Sequence, residues 1–293
     1  MDIFRHCSSL FYKETIPLRS SNSMKEKTFL LALLLCLTWT MQAAIVDTLA
    51  VYSASMNKKI SVIVITPERV KSDLPVTYLL HGYSGNEKSW INIRPDLPAI
   101  AEQYGMMIVC PDGENSWYWD SPKNASMRYE TFVVQELVSY IDNHYATRKS
   151  KKGRAITGLS MGGHGAMWLA FRHKELFGAV GSTSGGLDIR PFPNNWEMAK
   201  QLGKKCDNRE VWEAHTVINQ IDRLQNGDLA IIFDCGYNDF FYEVNKNFHR
   251  KLLEYKIDHD FLVRPGAHNN AYWRNSILYQ LLFFHNFFTG KPC

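Results

Sequence analysis

A chain of 293 residues with 45% apolar and 21% charged side chains can bury a core of its own, so it needs neither a disulfide framework nor a structural metal. The formal net charge is only +4, and the basic residues are scattered apart from short clusters such as Arg148, Lys149, Lys151, Lys152 and Arg154, which gives no nucleic-acid footprint. The chain has no Cys-x-x-Cys pair and no His/Cys spacing of the metal-site kind, so no metal and no other cofactor is implied.

The first readable element is N-terminal. From Met24 the chain carries Lys25 and Lys27, an apolar run over 29–39, then the small residues Ala43 and Ala44. Charged start, short apolar centre and small-residue exit make a secretory signal peptide at 24–44, so a secreted or periplasmic protein is expected. The apolar run falls short of the about 20 residues that a membrane span requires. Lipid attachment at Cys36 is disfavoured, because bulky Leu35 stands where such signals carry a small residue. Residues 1–23 form a polar upstream leader, best explained by translation that starts at Met24. Six cysteines fall to four beyond the leader: Cys110, Cys206, Cys235 and Cys293. In an oxidising compartment Cys206–Cys235 is the pair to test; free buried thiols are the alternative.

Residues 45–293 read as one continuous domain without repeats. Short apolar runs at 60–65, 76–80, 106–110, 154–157, 179–182, 229–233 and 260–263 have the unalternating pattern of strands buried on both faces. Between them Val133, Leu137, Tyr140, Ile141 and His144 recur at helical spacing, as do Ile277, Leu281 and Phe284 near the end. Strands alternating with helices predict an α/β architecture with a mainly parallel, doubly wound sheet and helices on both faces. The stretch 186–221 breaks the rhythm with Asn, Pro, Trp and charge. It reads as an insertion, either covering a site or running over the surface.

The sharpest chemical signal is Thr157-Gly158-Leu159-Ser160-Met161-Gly162-Gly163, after a strand-like run and before a helical pattern containing Ala166, Leu169 and Ala170. This is the setting of a nucleophile elbow, where the glycines permit close backbone approach and the helix N-terminus favours developing negative charge. A serine hydroxyl needs a base held by a third group, in the chain order Ser, acid, His. Of ten histidines, His268 alone lies in a loop between a late strand and the last helix. The acid is Asp239, in the loop where it can reach the histidine, or Asp234, which ends the strand and suits a structural carboxylate better. An oxyanion hole requires two N–H donors. Met161, after the nucleophile, supplies one. The loop His81-Gly82-Tyr83 supplies the other, from Tyr83 or, second, Gly82, with His81 shaping the loop rather than acting as a base.

These segments resemble an esterase family of α/β-hydrolases that includes esterase D (the S-formylglutathione hydrolases), feruloyl and acetylxylan esterases, and the mycolyltransferase antigens. The matching motifs are L-L-H-G-Y-S-G at 79–85, P-D-G at 111–113, the helix around 129–132 and G-L-S-M-G-G at 158–163. They continue with S-G-G-L-D at 184–188, D-C-G-Y-N-D at 234–239 and G-A-H-N-N-A-Y-W at 266–273. The resemblance implies the α/β-hydrolase fold, an ester hydrolase, Asp239 as the acid and Tyr83 as the second oxyanion amide. It does not name the substrate.

Trp117, Tyr118 and Trp119 follow the P-D-G turn and Trp273 follows the histidine loop. Trp117, Trp119 and Trp273 are candidates to stack on a sugar or aromatic acyl group, with packing as the alternative. Asn124-Ala125-Ser126 is a glycosylation sequon. Export favours a small-molecule or polysaccharide ester, such as feruloyl or acetyl groups on plant carbohydrate. It argues against an S-formylglutathione hydrolase, whose substrate is intracellular. A short-chain general esterase, a sugar acyltransferase and a non-catalytic carbohydrate-binding module are the remaining readings.

Overall fold

The computed structural model describes residues 44–69 and 72–291. The leader 1–23, the signal-peptide stretch up to residue 43 with Cys36, and Cys293 lie outside the described residues. Among the described residues no helix is long and apolar enough to cross a membrane.

Eight strands follow one another: β1 (Ile45–Ser53), β2 (Lys58–Thr66), β3 (Val76–Leu80), β4 (Met107–Pro111), β5 (Arg154–Gly158), β6 (Ala179–Thr183), β7 (Ala230–Gly236) and β8 (Asp260–Arg264). They form one sheet in the order β1-β2-β4-β3-β5-β6-β7-β8. β1 and β2 pair antiparallel, as do β2 and β4, and every other pairing is parallel. β3 to β6 are buried along their whole length, which is why their sequences show no polar alternation. Alternate side chains feed two cores. Val76, Tyr78, Leu80, Met107, Val109 and Ile156 face one, while Leu79, Ile108, Cys110 and Ala155 face the other.

The first core is covered by the helix at 129–144, the helix Met161–Arg172 and the helix Tyr242–Glu254. The second is covered by Leu97–Tyr104 and by the last helix, Asn270–Thr289, through Ile277, Leu281 and Phe284. This is the α/β-hydrolase fold, with helices on both faces of the sheet. Every strand expected from the sequence is present, with ends shifted by up to three residues. β1 is an addition. Its face is almost entirely exposed and it carries Asp47 and Thr48 among apolar residues, so no apolar run marked it. It is held by full-length pairing with β2, from Ile45 opposite Thr66 to Ser53 opposite Lys58.

Between β6 and β7 the chain leaves the sheet for two short helices, Met198–Leu202 and Arg209–Ala214, and a 3-10 turn at Val217–Arg223. Leu187, Met198, Leu202, Trp212, Val217 and Ile221 anchor this stretch, all with no exposed surface. It is therefore packed onto the first core rather than solvated on both sides. Cys206 in this stretch is exposed, while Cys235 is buried in β7; both are free thiols, as is buried Cys110. Of the two alternatives, the Cys206–Cys235 pair is thus not made, because one thiol lies within the sheet and the other at the surface.

Candidate active site

The turn from β5 into the helix Met161–Arg172 places Ser160 at φ 53°, ψ −115°, a conformation that costs a non-glycine residue about 1–3 kcal/mol. Backbone hydrogen bonds on both sides hold it. The Ser160 N–H donates to the Thr183 carbonyl (3.0 Å), and the Ser160 carbonyl accepts from the His164 N–H (3.0 Å). The glycines of the motif are needed for approach, not for their own dihedrals. A Cβ on Gly162 would stand 2.4 Å from the Leu80 carbonyl oxygen, and one on Gly158 would stand 2.5 Å from the Gly162 carbonyl carbon. The strain thus falls on the serine, and the glycines let the helix sit against β3.

His268 follows β8, where Asn269 caps the last helix by accepting from the Tyr272 N–H at 3.0 Å. The loop after β7 is bonded to the histidine loop: Tyr237 N–H donates to the Arg264 carbonyl (3.1 Å) and Asn238 N–H to the Gly266 carbonyl (3.0 Å). This brings the Asp239 carboxylate to His268 Nδ1, at 3.0 and 2.9 Å from its two oxygens. The other ring nitrogen, Nε2, lies 2.9 Å from Ser160 Oγ. With Asp239 able only to accept, Nδ1 carries the proton and Nε2 is left to accept from the serine hydroxyl. The Asp239 side chain is fully buried and also accepts from the Phe241 N–H at 2.8 Å.

Asp234, the other acidic candidate, does not reach the histidine. It is buried in β7 and accepts from Thr183 Oγ1 (2.8 Å), Ser276 Oγ (2.5 Å) and Gln280 Nε2 (2.7 Å). Burial raises its carboxyl above the usual range against those hydrogen bonds. Its geometry is that of a clamp between β6, β7 and the last helix. His81 is likewise structural in position: buried, with Nδ1 donating to the Gly82 carbonyl (2.7 Å) and Nε2 accepting from the Gly113 N–H (2.7 Å).

A cleft of about 350 Å³ opens over Ser160 and His268. Gly82 and Tyr83 of the loop after β3 line it together with Trp273. Met161 begins the helix beside Ser160, where backbone N–H groups have no partner within the helix. Trp117 and Trp119 do not line this cleft. Left-handed φ at Trp117 (57°) and Tyr118 (60°) turns both indoles inward, where they stack 5.6 Å apart and meet the His164 ring edge-on. At 1% and 0% exposure they are core residues, so for these two candidates packing holds and contact with substrate does not. Two aromatics that the sequence reading did not single out take their place. Trp196, from the stretch between β6 and β7, stacks 5.5 Å from Phe240, and Phe240 lies 4.2 Å from the His268 ring. The Trp-rich composition of 186–221 was the available signal for Trp196.

His164, in the helix behind Ser160, is fully buried; burial holds its imidazole down at about 3, against a bond from Nδ1 to the Gly186 carbonyl (2.9 Å). A histidine neutral when folded and ordinary when unfolded contributes stability that is present above about pH 6.5 and lost as the pH falls toward 3. Lowering the pH from about 6 to about 4 should therefore remove about 2 kcal/mol on this account. Denaturant titrations of the parent and His164→Gln at both pH values check this; an equal loss in both would remove His164 as the cause.

The fold and site together define a carboxylic ester hydrolase of the α/β-hydrolase class. The chain belongs to the esterase family whose model, described as Putative esterase, matches residues 53–284. It is 23% identical over 250 residues to the acetyl esterase of Caldicellulosiruptor saccharolyticus, covering 77% of this chain and 92% of that protein. It is 34% identical over 144 residues to the endo-1,4-beta-xylanase/feruloyl esterase of Xylanibacter ruminicola, a match of 46% of this chain and 20% of that protein. Among solved structures, a ferulic acid esterase superposes with a TM-score of 0.72 at 28% identity, covering 84% of this chain and 99% of that one.

Proposed function

We propose that the protein is an exported serine esterase that releases acyl groups, feruloyl or acetyl, from plant carbohydrate. The observation that carries the catalytic part is the unbroken hydrogen-bonded chain from Ser160 Oγ through His268 to Asp239. In this reading His268 Nε2 takes the hydroxyl proton as Ser160 Oγ attacks the ester carbonyl carbon. The amides of Met161 and Tyr83 hold the oxyanion, and Asp239 fixes the Nδ1–H tautomer and stabilises the imidazolium. His268 then gives its proton to the departing alcohol, leaving an acyl-enzyme. Water, deprotonated by the same nitrogen, releases the acid.

The carbohydrate part rests on the cleft walls, on the feruloyl and acetyl esterases among the relatives, and on the signal-peptide pattern at 24–44. Trp196, Phe240 and Trp273 give the site flat apolar faces suited to a cinnamoyl ring or a sugar. Purified protein assayed on methyl ferulate, acetylated xylan, p-nitrophenyl acetate and S-formylglutathione tests the reading. Turnover of ferulate or xylan supports it; cleavage of S-formylglutathione alone would replace it with thioester hydrolysis. Trp196→Ala is expected to raise KM for methyl ferulate about tenfold, with a much smaller change for p-nitrophenyl acetate. Equal changes for both esters would show that the indole holds the cleft together and does not select the acyl group.

A further inference from the structure

Beside the catalytic cleft lies a larger groove, about 810 Å³, in the stretch between β6 and β7. Its walls include Asn194, Asn195, Lys204, Lys205 and Arg209. Two consecutive residues relate the cleft and the groove: Trp196 lines the first and Glu197 the second. Both have left-handed φ, 47° and 54°, a strained pair of non-glycine residues lining the one space and the other. Strain of this kind persists where surrounding structure holds it, and it gathers at functional sites.

The charges lining the groove do not cancel. Its two carboxylates are already engaged: Glu197 with Lys200, and Glu213 with Arg190 at 2.8 Å. Arg209 adds a weaker pull on Glu213 without contacting it. Lys205 is bonded to a neutral acceptor, the Arg190 carbonyl, at 2.8 Å. Among the described residues no carboxylate lies within 4 Å of the Lys204, Lys205 or Arg209 side chains. Asp207 and Glu210 belong to the same stretch but do not line the groove. The concave surface thus carries three cationic and two anionic side chains, a net positive charge, with two asparagine amides and a volume in the range of ligand sites.

We infer that this groove binds the carbohydrate portion of an acidic substrate, an oligosaccharide carrying a uronic-acid carboxylate, while its ester reaches Ser160 past Trp196. The inference rests on the esterase reading above and names the substrate class for it. Lys204 and Arg209 meet the sugar carboxylate and Asn194 and Asn195 meet hydroxyls, while Trp196 stays with the acyl group in the cleft.

Two measurements together test it. The first compares kcat and KM of the full chain on feruloylated xylo-oligosaccharides of equal length with and without one uronic-acid residue, for the parent and for Lys204→Gln/Arg209→Gln. The acidic ester should have a KM about fivefold below the neutral one at low salt, and the double variant should erase that difference. Raising the ionic strength should shrink it in the parent. The second measures, by titration calorimetry, binding of the same oligosaccharides without their acyl groups to Ser160→Ala. Tighter binding of the acidic oligosaccharide supports the groove even if no ester is cleaved, in which case the esterase reading alone fails. Cleavage of both esters with equal KM, or equal binding of both oligosaccharides, overturns the groove assignment and leaves the esterase intact.

Discussion

Ser160→Ala and His268→Ala should each lower kcat by roughly 10⁴- to 10⁶-fold, and the double variant should fall no further than the worse single one. The reason is geometric. Oγ and Nε2 are 2.9 Å apart, so the base has no role without the hydroxyl and the hydroxyl is a weak nucleophile without the base. Residual rate over water would come from the oxyanion amides and binding, which neither substitution removes. Alanine at position 160 inherits the left-handed φ of 53°, so no gain in stability from relieved strain is expected. Fluorophosphonate labelling followed by mass mapping supplies the check. Parent labelled at Ser160 and an unlabelled Ser160→Ala variant is the expected pattern. Single-variant losses that multiply in the double variant would mean that the two residues act independently, and the proposed relay would fall.

The second large effect separates the two aspartates. Asp239→Asn should leave the fold in place and lower kcat by about 10⁴-fold, because an amide no longer holds the histidine in the Nδ1–H tautomer. Asp234→Ala should do the reverse. It strands Thr183, Ser276 and Gln280, whose donors converge on that carboxylate inside the protein, and should cost about 3 kcal/mol or more. The protein that does fold should keep kcat within about tenfold of the parent, since Asp234 touches none of the reacting groups. Thermal melts beside steady-state kinetics resolve the pair. A stability loss at Asp239 with kcat retained, or a catalytic loss at Asp234 with stability retained, would exchange the two assignments.

The sheet was legible because burial on both faces writes itself as short runs without polar alternation, most plainly in β3 and β4. β1 was not legible for the converse reason: an exposed edge strand is specified by its partner's register rather than by its own pattern. The positions of Ser160, His268 and Asp239 followed from local chemistry, namely a strand-to-helix turn with glycines and two loops after late strands. The fate of the tryptophans did not. Whether Trp117 and Trp119 face solvent or core turns on two left-handed residues in a loop, and the sequence there, Glu-Asn-Ser-Trp-Tyr-Trp, carries no glycine to announce them. Composition marked the stretch that carries Trp196 but not its place in the cleft, because the path of that stretch is set by buried anchors such as Trp212 and Leu202. Nor does sequence spacing decide a thiol pair when one partner lies inside a strand.

Ser160, Asp239 and His268 stand on three separate loops, after β5, β7 and β8, and the serine and histidine are 108 positions apart. The loops come into register only once β6 has joined β5 and β7, and β8 has closed the edge. Without those pairings nothing holds Oγ and Nε2 within hydrogen-bond reach of each other. A newly made or partly folded chain consequently carries a serine no more reactive than any other. Chemical competence is thus a property of the completed sheet rather than of any segment, and a copy whose sheet is incomplete has no activated nucleophile to lose to a stray acyl donor.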